Sequence, residues 1–380
     1  MVGPPINFYG SDTYHMSSII GTYEYMLYSA DIEFLTSNWA KISLAINWIA
    51  GKIDSTGLLY VTGSGDWGRY TQGGHNTEAN ALMYRALITG SMMANWNSDL
   101  ISAATWTSKA ATLKAAINTE ALNWDPVVGA FKDSDTDASV HPEDGNSLAL
   151  YYDMANPSYF TNISNQLTTN WGPIGAKCPE LTDNIVPYIE SMEVKGHLAV
   201  RQASRALTLM RLSWGWYLNN PYGTGSTCIE GYLQDGSFGY RANSGYGGDY
   251  SYTSHAHGWS TGPTHALSAY VLGLQLTSPG GATWSLAPQF GDLTTVEGGY
   301  TTPLGKFSAR WVLGGTVGYN LSYNVPTSTS GTLVLPASNA RAPNVTLNGS
   351  ANTNGTYDAS AGLFTISDQS GGVYMVIVVY

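Results

Sequence analysis

Charge is scarce in this chain. Asp, Glu, Lys and Arg make up 11% of its 380 residues, against roughly a quarter in an ordinary soluble protein. The 16 Lys and Arg gather in no stretch, and the formal net charge is −11. A phosphate backbone therefore has little to bind, and nucleic acid is excluded as a partner. No apolar run reaches the roughly 18 residues that a membrane helix needs. Cysteine is nearly absent too: Cys178 and Cys228 have no metal-ligand spacing, and whether they pair is left open.

Ser, Thr, Asn and Gly supply the polarity instead, beside 26 Tyr and 12 Trp. Such a surface suits neutral, hydroxyl-rich ligands, or is simply the weakly charged surface of a secreted protein. Five N-x-S/T triplets occur, at Asn162, Asn320, Asn344, Asn348 and Asn354, four of them in the last quarter. They fit a glycosylated extracellular module. Met1-Val-Gly-Pro-Pro has neither the charged nor the apolar part of a signal peptide, so the chain is expected to begin within a longer secreted protein.

Residues 13 to about 275 carry helical periodicity. Ala79, Leu82, Met83, Ala86, Leu87, Gly90 and Met93 share one face, as do Leu35, Trp39, Ile42, Ile46 and Ile49, and again Ala203, Ala206, Leu207, Met210, Trp214 and Tyr217. Weaker helices are expected near 14–30, 100–118, 145–155, 157–169, 187–197 and 262–274, about nine in all. Antiparallel pairs of them would build an α/α toroid; a plain helical bundle is the alternative. After Ser278-Pro279-Gly280-Gly281 the period falls to two, with Phe307, Ala309 and Trp311, then Tyr319, Leu321 and Tyr323, then Leu333–Leu335 and Val373–Tyr380. The expected division is 1–278, helical, and 279–380, an antiparallel β-sandwich.

Four loops concentrate polar and aromatic residues. In Tyr9–His15, Asp12 could cap a helix or face a ligand. In Gly65–Tyr70, Asp66, Trp67 and Arg69 suit a sugar, through hydroxyl contacts and stacking on the ring, or form a structural Asp–Arg pair. Glu230, in Gly225–Tyr232, is either a solvated carboxylate or, if buried beside a cavity, a general base for water. In Ser254–Pro263, His255 and His257 are read as hydroxyl partners, with Trp259 as a wall, rather than as metal ligands.

His257-Gly258-Trp259-Ser260-Thr261-Gly262-Pro263, Tyr270-Val271-Leu272-Gly273, Leu286-Ala287-Pro288-Gln289 and Gly291-Asp292-Leu293 resemble the C-terminal signature of α-L-rhamnosidase-type six-hairpin glycosidases. Tyr9–His15, Gly65–Tyr70, Arg211–Trp216 and Thr227–Tyr232 are similar to the fungal branch, in order along essentially the whole chain. The resemblance implies an (α/α) six-hairpin toroid followed by a β-sandwich, and inverting hydrolysis of a rhamnose-containing saccharide without metal or cofactor. Glu230, in Thr227-x-x-Glu230, then matches the general base. Asp12, Asp66 and Trp67 would bind the terminal rhamnose, and the family's His near its Trp matches His257 beside Trp259, His255 being the competing register. The family's general acid lies in an Arg-rich stretch followed by W-x-G-D, which has no match here, so the acid and about three helices are expected upstream of Met1. The competing functions are a non-catalytic saccharide-binding protein and an unsaturated glucuronyl hydrolase or polysaccharide lyase.

Overall fold

The computed structural model describes residues 10–242, 245–315, 318–338, 340–352 and 354–380. Two compact units divide the chain. One is built from the chain up to Tyr23 together with Ile32–Pro263, the other from Glu24–Asp31 and Thr264–Tyr380.

The first unit is helical. Its helices are α1 (Asp12–Ser29, whose last turns fall in the second unit), α2 (Ile32–Ala50), α3 (Thr77–Trp96), α4 (Leu100–Ile117), α5 (Glu143–Tyr151), α6 (Phe160–Thr168), α7 (Pro187–Ala199), α8 (Ala203–Leu212) and α9 (Trp214–Leu218). Three of the starts have a local cause. Asn76 caps α3 by accepting from the amide of Ala79, Asp99 caps α4 through Ser102, and Pro187 fills the first position of α7. The periodicity seen over 203–217 is split at Ser213, where α8 ends and α9 begins.

The helix α3 packs against α2, α4 and α5, and α7 against α5, α6 and α8. Gly90 allows the approach of α2 and α4 to α3: a Cβ there would lie 2.8 Å from Ile46 Cδ1 and 3.3 Å from Trp106 Cε3. Three short ladders tie down the loops before α5 and α7. They are β1 (Trp124–Asp125) with β2 (Ala130–Phe131), β3 (Trp171–Gly172) with β4 (Gly175–Ala176), and β5 (Asn184–Ile185) with β6 (Tyr232–Leu233). The last of these joins the entry to α7 to the segment just after Glu230.

The second unit holds a C-terminal sheet. The helix expected over 262–274 is shorter: α10 (Gly262–Ala266) passes into a π-helical turn, Leu267–Val271. Gly273 ends it at φ 93°, where a Cβ would lie 2.4 Å from the backbone of Ala287 and Pro288. Strand structure therefore begins before Ser278, with β7 (Leu274–Leu276) on β8 (Thr283–Leu286). The remaining strands are β9 (Thr295–Thr302), β10 (Gly305–Leu313), β11 (Gly318–Pro336), β12 (Asn344–Leu347), β13 (Ser350–Ala351), β14 (Thr356–Asp358) and β15 (Leu363–Val379).

Their order is β13-β12-β15-β11-β10-β9. Tyr319–Tyr323 and Leu333–Leu335, which read as separate runs in the sequence, lie on the one strand β11. That strand pairs with β10 over its first part and with β8 over Ser330–Leu333. The β8 pairing is parallel, so the sheet is not wholly antiparallel. Phe307, Trp311, Leu321, Leu333, Leu335 and Val376 fill its buried side.

Candidate active site

Acidic residues occupy the first turns of α3, α5 and α7, namely Glu78, Glu143 with Asp144, and Glu190. All four are buried, where the positive ends of the helices favour carboxylates. Glu180 arrives from the loop before α7, and its two oxygens accept from the amides of Glu143 and Asp144 at 2.9 Å each. Arg69 is the buried cation among them. Its guanidinium pairs with Asp133, with Asp144 at 2.8 Å and with Glu78 at 3.5 Å, while Nε donates to the carbonyl of Thr71.

The excess of acids over cations shows in their protonation. Burial above all, then the Asp66 and Asp144 charges, pushes Glu78 well above the usual carboxyl range, with Arg69 opposing. Burial pushes Glu190 up to about 8, against hydrogen bonds from Ser213 and the Ala176 amide.

Trp67, Arg69 and Asp12, which the loop motifs offered as sugar contacts, are each engaged within the protein. Trp67 is 2% exposed. It belongs to a core cluster with Cys178, Leu181, Val186, Ile189 and Tyr240, and its Nε1 donates to Asp144 at 3.1 Å. The fork of Arg69 is spent on carboxylates. One oxygen of Asp12 pairs with Lys52, and the other accepts from the amides of Thr62 and Gly63, so Asp12 fixes that turn. Asp66 is half-buried, accepting from Thr13 and from Gln72 Nε2 at 2.8 Å each. The same Gln72 nitrogen reaches Glu78 at 3.0 Å.

Glu230 lies in a second group of residues. It is 5% exposed. Oε1 accepts from the hydroxyl of Tyr246 at 2.7 Å and Oε2 from the amide of Ser254 at 3.0 Å. Trp259 Nε1 donates to the Glu230 carbonyl at 3.2 Å. His257 Nδ1 stands 4.0 Å from Oε2, and its ring lies 4.4 Å from that of Trp259, which stacks on Tyr188 at 5.1 Å. His255 turns elsewhere, its Nδ1 bonded to the hydroxyl of Tyr217 at 3.0 Å. The geometry thus groups His257, not His255, with Glu230. Each Glu230 oxygen keeps a lone pair beyond its one donor.

The hydroxyl of Tyr14 is pushed up to about 12 by burial first, then by the charges of Asp66 and Glu78, although the residue is 40% exposed. Tyr188, which stacks on Trp259, is raised by burial, then by Glu78. Both cysteines are free thiols. Cys178 is buried and donates to Glu143.

Residues 273–349 match the bacterial α-L-rhamnosidase C-terminal domain. The fold of the chain is likewise that of solved rhamnosidases. It resembles the α-L-rhamnosidase from Dictyoglumus thermophilum (TM-score 0.70, 15% identity, covering 96% of this chain and 39% of that one). The rhamnosidase of Bacillus sp. GL1 gives 0.68 at 21% identity, covering 86% of this chain and 33% of that one. The Streptomyces avermitilis α-L-rhamnosidase, solved with L-rhamnose, gives 0.63 at 17% identity, covering 93% and 31%. This chain therefore spans about a third of the length of these rhamnosidases. No curated protein matches it.

Sequence reasoning gave no role to Tyr246, Tyr188, Tyr14, Gln72 or Glu78. Tyrosine is so frequent here that spacing gives it no signal. Glu78 lies in the first turn after the helix cap Asn76, and its position there could have marked it.

The protonation states predict how stability varies with pH. Glu190 binds its proton more tightly folded than unfolded, so its contribution is complete below about 4.5 and is lost as pH rises through about 8. His75 acts in the same direction. Burial lowers its pKa, but hydrogen bonds to Asp135 at 2.6 Å and Asp54 at 2.9 Å outweigh this and raise it. Its contribution is full below about 6.5 and fades as pH climbs past the raised value. Asp54, held at about 2 first by Thr56, loses its contribution only in strong acid. Calorimetry should find the highest Tm near pH 5 and a fall of several degrees by pH 8. Glu190→Gln should flatten that fall; a Tm that rises from pH 5 to 8 would contradict the assignment.

Proposed function

We propose that this chain carries the base and the saccharide-binding part of an α-L-rhamnosidase-type glycoside hydrolase. It would remove terminal rhamnose from plant glycosides or polysaccharides with inversion, outside the cell. The observation that carries the reading is the setting of Glu230. A nearly buried carboxylate is oriented by Tyr246 and Ser254, keeps a lone pair on each oxygen, and stands beside His257 and a half-buried Trp259.

In this reading a water molecule bonded to Glu230 loses its proton to the carboxylate as its oxygen attacks the anomeric carbon. Trp259 faces the apolar side of the sugar ring, and His257 and Asp66 bond its hydroxyls. In the same reading residues 1–278 belong to an α/α toroid and 279–380 to a β-sandwich. The departing oxygen needs a proton from a second carboxyl group, roughly 6.5–9.5 Å from the base in an inverting enzyme. The Arg-rich segment that carries it in the resembling glycosidases has no counterpart among these 380 residues.

The stack of Trp259 on Tyr188 beside His257 equally suits a second reading, a saccharide-binding protein without turnover. An assay of 4-nitrophenyl α-L-rhamnoside hydrolysis beside calorimetric titration with L-rhamnose tests both. The expected result is rhamnose binding with turnover near background, rising when an acid-bearing upstream segment is joined. Absence of rhamnose binding would overturn both readings. Brisk turnover by the 380 residues alone would remove the missing acid.

A further inference from the structure

An aliphatic stripe runs along one face of the C-terminal sheet. Val373, Met375, Ile377 and Val379 alternate along β15 and are 71%, 48%, 40% and 38% exposed. Their neighbours Val376 and Val378 point into the core. β15 lies inside the sheet, between β11 and β12, so both of its flanks on this face belong to adjoining strands.

The register names the side chains on those flanks. On β11, Asn320 stands directly opposite Ile377, Ser322 opposite Met375 and Asn324 opposite Val373. On β12, Asn344 stands opposite Val379 and Thr346 opposite Ile377. Residues directly opposite in an antiparallel ladder share a face, with Cβ atoms about 4.5–5.5 Å apart. The stripe is therefore an apolar row with polar side chains along both of its flanks. A contiguous exposed apolar surface of this kind is normally covered by something.

The flanking residues are acceptor triplets. Asn320-Leu321-Ser322 and Asn344-Val345-Thr346 each lie in a strand, so the period of two turns the Asn and the Ser or Thr outward together. The middle residues, Leu321 and Val345, are buried. Both asparagines are exposed, and they sit on opposite sides of β15. Neighbouring strands are about 4.8 Å apart, which puts the two acceptors on the order of 10 Å apart across the stripe. Asn348 differs. Its Oδ1 accepts from the amide of Met375 at 2.8 Å, and its own amide donates to the Met375 carbonyl at 2.8 Å, so it extends the ladder.

We propose that Asn320 and Asn344 carry N-linked glycans whose inner N-acetylglucosamine residues lie over Val373, Met375, Ile377 and Val379. Each pyranose ring has one face of C–H groups and an acetyl methyl, which suit an aliphatic row, and hydroxyls that suit the Ser and Asn beside it. The bond formed joins Asn Nδ2 to the anomeric carbon of a lipid-linked oligosaccharide, with the lipid diphosphate leaving and one amide proton released. The proposal rests on the secreted reading of the chain and not on its catalytic one.

The test is to secrete the 380-residue chain from a yeast and map its tryptic glycopeptides. Sugar is expected at both Asn320 and Asn344. Ser322→Ala and Thr346→Ala abolish the acceptors while leaving the asparagines and the stripe in place, and Thr346→Ser keeps the second one. The double alanine variant should bind a hydrophobic dye several-fold more strongly and self-associate, with enzymatic deglycosylation of the folded parent giving the same result. Thr346→Ser should behave as the parent. Recovery of both asparagines unmodified would overturn the proposal. So would glycosylation at both sites whose removal changes neither dye binding nor association. Rhamnose binding, measured on the same samples, is expected to be unchanged, which separates this result from the reading of the Glu230 site.

Discussion

Glu230→Gln is expected to lower kcat by a factor on the order of 100 or more in a form of the protein that turns over aryl rhamnosides, with rhamnose affinity nearly unchanged. Glutamine keeps the shape of the side chain and accepts from one of the two donors, Tyr246 or Ser254, which bond different oxygens of Glu230, but it cannot take the proton of water. Tyr246→Phe is the companion measurement. Removing the donor 2.7 Å from Oε1 frees the carboxylate to turn away from its water, so kcat should fall while rhamnose affinity stays nearly unchanged. A structural role for Tyr246 would lower Tm and leave kcat of the folded protein in place. Near-normal turnover in Glu230→Gln would take the base role from this residue.

Arg69→Ala should be the most destabilising single change in the helical unit. Asp144, Asp133 and Glu78 would lose the guanidinium that balances them, all in places closed to water. Breaking a buried ion pair from one side typically costs about 3–5 kcal/mol. Part of that is recovered if the carboxyls take up protons, so the loss should be smaller at pH 5 than at pH 8. Chemical unfolding at both values checks the size and the trend. A change of under 1 kcal/mol with weakened rhamnose binding would instead return Arg69 to the sugar.

The sequence made the helices legible because their apolar faces repeat. The periodicity of Ala79–Met93 belongs to a helix packed on three others. Boundaries were harder where a single backbone position decides. Gly273 ends a helix only because Ala287 and Pro288 come back against it, a contact that local periodicity does not contain. Leu333–Leu335 looked like a separate strand because Pro326 and a run of Ser and Thr interrupt the alternation. The main chain nonetheless continues through as β11, with register shifts against β15 between Val325 and Ser330 and again between Gly331 and Leu333.

The candidate site was legible in the same uneven way. The segment around Glu230 and the pairing of His257 with Trp259 came from motif order. Asp66, Trp67 and Arg69 were found together in the sequence, yet their side chains part company in space. Asp66 meets Gln72, while Trp67 and Arg69 meet Asp144 from α5, 77 and 75 residues away. Three-residue proximity could not separate a ligand contact from a charge-balancing one, because the partners that decide it are distant in sequence.

The last strand has a consequence for how the chain is made. β15 is the shared partner of β11, β12 and β14, and its far end, Val379, sits against both Gly318 and Asn344. Until that end leaves the ribosome, β11 and β12 show open edges with no neighbour between them. Helices α2 to α9 need nothing so late in the chain for their own hydrogen bonds. Synthesis therefore presents the helical part first and leaves the sheet exposed to edge-to-edge pairing with other nascent chains. Losing Ile377–Val379 would leave Gly318–Asn320 and Asn344–Thr346 without the neighbour between them.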